Sequence, residues 1–266
     1  MRDYSDYAPS LIVSGKDRIL TVTLNNPEAL NATTPPMHTA LTRIWDDIHE
    51  DDDVHVVVLT GAGRAFSAGG NLGSMQRMIE DQSLWWPTAT EAKRIVYRML
   101  ECDKPIIARL NGHAVGFGST LAVCCDIIVA VESAKIGDPH VGAGLVAGDG
   151  GAVLWPQRIG FARAKEYLLT GELLSAKRAE EIGLINYAVP AEELDARVQA
   201  LAEKLARGPS AAIRWTKQLI NLPLRQLAHS MMDLGLAAES LSQQDADHRE
   251  AVRALLAKEQ PRFGRG

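Results

Sequence analysis

At 266 residues the chain is long enough to bury one large core, and 46% hydrophobic with 23% charged residues is ordinary for a soluble globular protein. A net charge of −5 argues against a general nucleic-acid binder, which needs a concentrated basic surface, but leaves room for an anionic small ligand held by a few local cations. Residues 1–10 are polar, and no apolar run approaches the roughly 20 residues that span a bilayer, so neither a secretory leader nor a membrane segment is expected. Three cysteines, Cys102, Cys124 and Cys125, are too few and too badly spaced for a disulfide framework or a four-thiolate metal site. No metal is expected, and the expected compartment is the reducing cytoplasm.

The first half alternates short apolar runs with helical patterns, as an α/β chain does. Residues 19–24 read as a strand. A helix is expected over about 36–49, with Met37, Leu41, Ile44, Trp45 and Ile48 as its apolar stripe and Pro35 and Pro36 at its start. Residues 54–60 read as a buried strand, and 106–110 and 126–131 repeat the theme. Glycine-rich turns follow at 61–63, 111–112 and 148–151. After Phe161 the patterns become helical, over 161–169, 175–182, 192–207, 210–220 and a long stretch from 224 to about 258. Ser175 and Ser210 fit as N-caps, and Gly208-Pro209 as a break. The expected division is a β-rich core over 1–205 and a helical part over 206–266. The apolar face of that part (Leu224, Leu227, Met231, Leu234) would pack on its own core or on a neighbouring subunit.

Two segments carry chemistry on backbone grounds. Gly61-Ala-Gly-Arg-Ala-Phe-Ser-Ala-Gly-Gly-Asn71 follows a strand, and its small residues let a backbone N–H approach a ligand closely. It has neither the Gly-Lys-Ser/Thr of a phosphate-binding loop nor the context of a dinucleotide fingerprint. In Lys104-Pro-Ile-Ile-Ala-Arg-Leu-Asn-Gly-His-Ala-Val-Gly-Phe-Gly-Ser-Thr120 a strand ends in Asn-Gly and further glycines open a helix. A helix N-terminus offers unpaired N–H groups and partial positive charge. One N–H from each segment would make an oxyanion hole. A third segment, Ala134-Lys-Ile-Gly-Asp-Pro-His140, leads through Gly-Asp149-Gly-Gly to another helix start.

Leu24-Asn-Asn-Pro-Glu-Ala-Leu-Asn-Ala32, Arg64-Ala-Phe-Ser-Ala-Gly-Gly-Asn71 and Asn111-Gly-His-Ala-Val-Gly-Phe-Gly118 resemble, in order and spacing, the signatures of the crotonase (enoyl-CoA hydratase/isomerase) superfamily. Further matches at 169–180, 183–190 and 257–263 extend the likeness over nearly the whole chain. The resemblance implies an α/β fold, a spiral of ββα turns with a C-terminal helical region that builds homotrimers or hexamers. It also implies a lyase or isomerase whose substrate, rather than cofactor, is a coenzyme A thioester. Carried over by position, Gly70 and Phe117 would supply the oxyanion hole. Glu28, Ala29, Ala68, Asn71 and Leu72 would line the coenzyme A path, and Lys258 and Phe263 would reach a neighbouring subunit's ligand.

The sequence departs from the hydratase pattern at both glutamates: Thr120 stands at the first position and His140 at the second. Threonine cannot exchange a proton at accessible pH, which speaks against concerted two-carboxylate hydration. Asp149 and His140 are then the catalytic candidates, with Asp149 also readable as a helix N-cap. His38 and Thr120 would belong to the acyl pocket. His49, His55, His113, His229 and His248 read as structural or surface residues, and Glu239 as a solvated or interfacial charge. A narrower resemblance, in Pro139-His140, Gly144-Leu-Val-Ala-Gly-Asp149-Gly and Leu154-Trp-Pro156, points to the oxocamphor hydrolase branch, which cleaves a carbon–carbon bond in a cyclic β-diketone. His38 and Glu239 fall near positions that branch uses, although Phe117 stands where it would have a histidine. Three functions therefore stay open: an acyl-coenzyme A enzyme, a β-diketone hydrolase, and a non-catalytic thioester-binding homologue.

Overall fold

A computed structural model describes residues 1–264. In chain order the elements are β1 (Leu11–Lys16), β2 (Ile19–Leu24), α1 (Pro35–Glu50), β3 (Val56–Gly61), α2 (Leu72–Glu80) and α3 (Trp85–Glu101). They continue with β4 (Ile106–Leu110), β5 (Ala114–Val115), α4 (Phe117–Cys124), β6 (Ile127–Val131), β7 (Lys135–Gly137), α5 (Gly151–Ile159) and α6 (Phe161–Thr170). The last are β8 (Leu174–Ser175), α7 (Ala176–Glu181), β9 (Tyr187–Val189), α8 (Leu194–Ala206), α9 (Ser210–Gln243) and α10 (Ala246–Ala257). Expected and observed bounds of the central strands and of α1 agree within two residues. Residues 72–101, which carried no expected element, form two helices.

A six-stranded sheet has the order β1-β2-β3-β4-β6-β9, and only the β1–β2 pair is antiparallel. All six residues of β3 are buried, as the unbroken Val-Val-Val-Leu run requires of a parallel strand covered on both faces. A smaller sheet, β5-β7-β8, stands beside it. Helix α1 buries Met37, Leu41, Ile44, Trp45 and Ile48, the stripe read from sequence, and packs against α3. Because β2, β3 and β4 run in one direction, the turns after β3 and β4 emerge on the same side of the sheet, where parallel α/β folds place ligands.

The C-terminal helices depart from expectation. Pro223 does not divide them: α9 runs unbroken through it, and the break falls at Gln244, where the Asp245 side chain accepts from Asp247 N and opens α10. Tertiary contacts one turn before the proline hold the helix. Asn221 Nδ2 donates to Leu100 O at 3.2 Å, and Lys217 Nζ donates to Lys104 O at 2.8 Å and pairs with Asp126. These offset the single backbone bond a mid-helix proline removes. Ser210 is the first helical residue of α9 rather than its cap, whereas Ser175 does cap α7, accepting from Arg178 N at 3.2 Å. Among the described residues no helix is long and apolar enough to cross a membrane.

Candidate active site

Backbone hydrogen bonds stitch four segments together at one end of the sheets. Thr33 N donates to Gly69 O at 2.7 Å, Val115 N to Ser67 O at 3.0 Å, and Gly116 N to Gly137 O at 2.9 Å. The contact between the turns depends on glycine. Gly69 has φ of +85°, and a Cβ there would sit 2.5 Å from Val115 O and 3.2 Å from Phe117 N. Gly116, at φ +57°, opens α4, so Phe117 presents its N–H at a helix start. Among the described residues the N–H groups of Gly70 and Phe117 donate to no protein acceptor. Asn71 Oδ1 accepts from Ser74 N at 3.0 Å and caps α2, fixing the exit of the first turn.

Two adjoining cavities meet at these amides. The outer one is walled by Ala29, Ala68, Leu72, Gly142 and, from α10, Leu255. The inner one contains His38, Trp85, Asp149, Leu236 and Glu239. Both share Gly70, Asn71, Met75, Phe117, His140 and Leu145. Of the residues assigned to coenzyme A by resemblance, Ala29, Ala68, Asn71 and Leu72 line the outer cavity. Glu28, exposed on the 3-10 turn Pro27–Ala29, lines neither cavity, and the same holds for Lys258 at the left-handed end of α10 and for the half-exposed Phe263. Trp85 faces the inner cavity and its indole N–H donates to Ser240 Oγ, whereas Trp86 is exposed.

The ionisable groups of the inner cavity form one connected set. His140 stands on a 3-10 turn (His140–Ala143) with Nδ1 paired to Asp138 Oδ1 and Nε2 at 3.2 Å from Asp149 Oδ2. Thr120 Oγ1 donates to the other oxygen of Asp149 at 3.2 Å. Burial alone would strip the imidazole of its proton, but the carboxylates of Asp138 and Asp149 outweigh it and hold the His140 pKa well above the ordinary histidine range. Burial works the opposite way on Asp149; there the His140 charge and the bonds from His140 and Thr120 win and keep its pKa below the usual carboxylate value. An imidazolium between two carboxylates is the resting arrangement. Asp138, His140 and Asp149 each offer a ligand atom, and these atoms lie within 4.8 Å of one another, a spacing that could hold a metal ion.

Around this set lie two neutral groups. His38 is buried, its ring stacked on Phe117 at 4.9 Å, and its Nε2 lies 3.2 Å from Thr33 Oγ1. Desolvation depresses its pKa to about 4, against a smaller opposing pull from Asp149. Glu239 reaches the cavity from α9. Burial, reinforced by the Asp149 charge, raises its pKa well above that of an ordinary glutamate, so it holds its proton.

The structure revises several readings. Asp149 is not the cap of α5: Gly150, at φ +136°, takes the N-cap position, and both Asp149 oxygens are engaged by His140 and Thr120. Glu239 is 5% exposed and lines the inner cavity, because α9 folds back over α3 and brings its buried stripe to the site. His248, read as structural, also lines the inner cavity; its Nδ1 donates to Ala143 O at 2.7 Å. Asp138 was overlooked, and its signal was a carboxylate two residues before the candidate histidine.

A parallel sheet flanked by a smaller one, with helices folded over a two-part cavity whose junction is lined by backbone amides, is the crotonase arrangement. The sequence profile of the enoyl-CoA hydratase/isomerase family matches residues 14–266. The chain belongs to that family. It is 36% identical over 249 residues to 1,2-epoxyphenylacetyl-CoA isomerase of Escherichia coli, spanning 92% of this chain and 94% of that one. Among solved structures, an enoyl-CoA hydratase/isomerase from Mycobacterium paratuberculosis is similar at TM-score 0.88 and 38% identity, covering 92% of this chain and 97% of that one. A β-diketone hydrolase from the cyanobacterium Anabaena, bound to (S)-3-oxocyclohexyl acetic acid, is similar at TM-score 0.85 and 30% identity, over 92% and 98% of the two chains.

Proposed function

We propose that this chain is an acyl-coenzyme A enzyme of the hydratase/isomerase type. The N–H groups of Gly70 and Phe117 hold the thioester oxygen as an enolate develops, and Asp149, backed by His140, moves the proton. One observation carries this reading: the two unpaired amides sit where the outer and inner cavities meet. A thioester carbonyl placed there would send its pantetheine out past Ala29, Ala68, Asn71 and Leu72, and its acyl chain inward toward Asp149. Such preorganised donors are worth about 2.7–4 kcal/mol each at the transition state.

Asp149 is ionised and hydrogen-bonded, fit to take a proton from the acyl carbon and return it elsewhere on the chain. His140 stabilises the carboxylate between transfers. Thr120 offers only a hydroxyl, already donated to Asp149, so proton shuttling fits the site better than water addition between two carboxylates. The coenzyme A thioester is the substrate, and the chemistry uses no further cofactor. We assign residues 206–266 to assembly into homotrimers or hexamers in the cytoplasm, with Glu28 on the coenzyme A path and Lys258 and Phe263 reaching a neighbouring subunit's ligand. The exposed Trp215, Leu219, Ile220 and Leu234 on α9 support the assembly. Isothermal titration with acetyl-coenzyme A tests the core of this reading; no heat of binding at saturating concentration would remove it.

A second reading, hydrolysis of a carbon–carbon bond in a β-diketone, is favoured by the gathering of His38, His140, Asp149 and Glu239 in one chamber and by the likeness to the Anabaena enzyme. In that case Asp149 and His140 would direct water at a ring carbonyl. Turnover of a cyclic β-diketone by protein that shows no affinity for coenzyme A thioesters would establish it in place of the first.

A further inference from the structure

Three side chains on the C-terminal helices face the inner cavity, and the proton shuttle uses none of them. Glu239 and Gln243 lie one turn apart on α9, which puts them on the same face, and His248 follows on α10. Glu239 is 5% exposed, and its Oε2 has no hydrogen-bond partner. A Cβ on Gly148 would come within 2.9 Å of that oxygen, so the carboxyl group reaches the loop that carries Asp149. Gln243 donates one Nε2 hydrogen to Met78 O at 3.0 Å and keeps its amide oxygen as an acceptor. His248 spends its Nδ1 proton on Ala143 O, so its Nε2 is a bare acceptor, and burial keeps the ring neutral. The wall beside them carries the apolar side chains of Met78, Trp85, Ala89, Ala92 and Leu236.

An acid oxygen without a partner and two acceptors set beside this apolar wall are not matched by a plain hydrocarbon, because a buried polar group left unmatched costs about 1–3 kcal/mol. We propose that Glu239, Gln243 and His248 form a second polar subsite that receives an uncharged oxygen function, a hydroxyl or a ketone, carried on the acyl group beyond the thioester. This rests on the acyl-coenzyme A reading given above and names its substrate class. Glu239 donates to the oxygen, and a hydroxyl can in turn donate to Gln243 or His248. A carboxylate is refused: Asp138 and Asp149 already place two negative charges against the single positive charge of His140, and a third would face them in a desolvated chamber. An ammonium would have to shed its hydration against the apolar wall.

The test is titration calorimetry of the full chain with length-matched thioesters: hexanoyl-coenzyme A, its 4- and 5-hydroxy and 4- and 5-oxo derivatives, adipyl-coenzyme A and 6-aminohexanoyl-coenzyme A. At least one hydroxy or oxo ester is expected to bind roughly five- to tenfold tighter than hexanoyl-coenzyme A, and adipyl-coenzyme A more weakly than it. In Glu239→Leu the ratio should fall to about one, while Glu239→Gln, which keeps a donor, should retain it; Gln243→Leu serves if the first variant does not fold. Equal affinities across the neutral esters, or tightest binding by the adipyl or aminohexanoyl ester, overturns the subsite while leaving the acyl-coenzyme A reading intact. Binding of none of the thioesters overturns both.

Discussion

The two halves of the site are built from different materials. The turns 61–71 and 111–118 contribute backbone: two amides, placed by glycines at +85° and +57°, conformations a larger residue adopts only with strain, and at Gly69 a Cβ would also meet Val115 O at 2.5 Å. The segment 138–149 contributes side chains, Asp138, His140 and Asp149, wired to each other and to Thr120. In the first half the residue types are those of the family. In the second, both glutamate positions hold other residues, yet a carboxylate still arrives, one loop further along the chain. On the proposed reading, backbone donors anchor the reactive oxygen while the proton-handling groups are exchanged around it.

Replacing Asp149 by Asn attacks the side-chain half most directly. The variant should keep its fold and bind thioester, while kcat falls about 10²–10⁴-fold, the usual worth of a positioned base. Full turnover would show that the carboxylate is only structural. Gly70→Pro attacks the backbone half by deleting one N–H, and the Cβ it adds meets only the mobile end of Met75 at 2.5 Å. A loss of about 10²–10³ in kcat is expected, with thermal unfolding little changed. Gly69→Ala instead tests whether the halves are mechanically joined. It forces a side chain onto φ +85° against Val115 O, and should lower stability by about 1–3 kcal/mol in a denaturant titration.

The electrostatics give a milder handle. His140 has a raised pKa, so its ion pairs add stability that is complete below the ordinary histidine value and is lost as pH climbs through the raised one. In Asp138→Asn one of the two carboxylates is gone. The alkaline limb of both the rate profile and the unfolding midpoint should then move to lower pH, and limbs that stay in place would show that Asp138 does not hold the proton on His140. Smallest of all, Thr120→Val removes one hydrogen bond from a carboxylate that keeps another, and about a tenfold drop in kcat/KM is expected.

The sequence exposed what local rules govern. The buried Val-Val-Val run, the stripe of α1 and the glycine turns all follow from short-range sterics and periodicity, and so did the likeness in the three motifs. What escaped was long-range. Glu239, Gln243 and His248 join the site only because α9 returns across α3, and nothing within four residues of Glu239 reports that journey. The gap expected between 220 and 224 closes for the same reason, since the partners of Lys217 and Asn221 that hold the helix through Pro223 lie over 100 residues away along the chain. Asp149 was open to two readings because aspartate before a helix fits both a cap and a base, and Gly150, at +136° in the N-cap position, removes the first.

The bond from His248 to the Ala143 carbonyl has a practical side. A Cβ on Gly144 would lie 2.7 Å from His248 N, so the last helix and the turn bearing His140 touch backbone to backbone. Shortening the chain before residue 246 would therefore do two kinds of damage at once, taking His248 out of the inner cavity's wall and removing the backbone against which the His140 turn rests. Affinity tags and fusion partners belong at the other terminus.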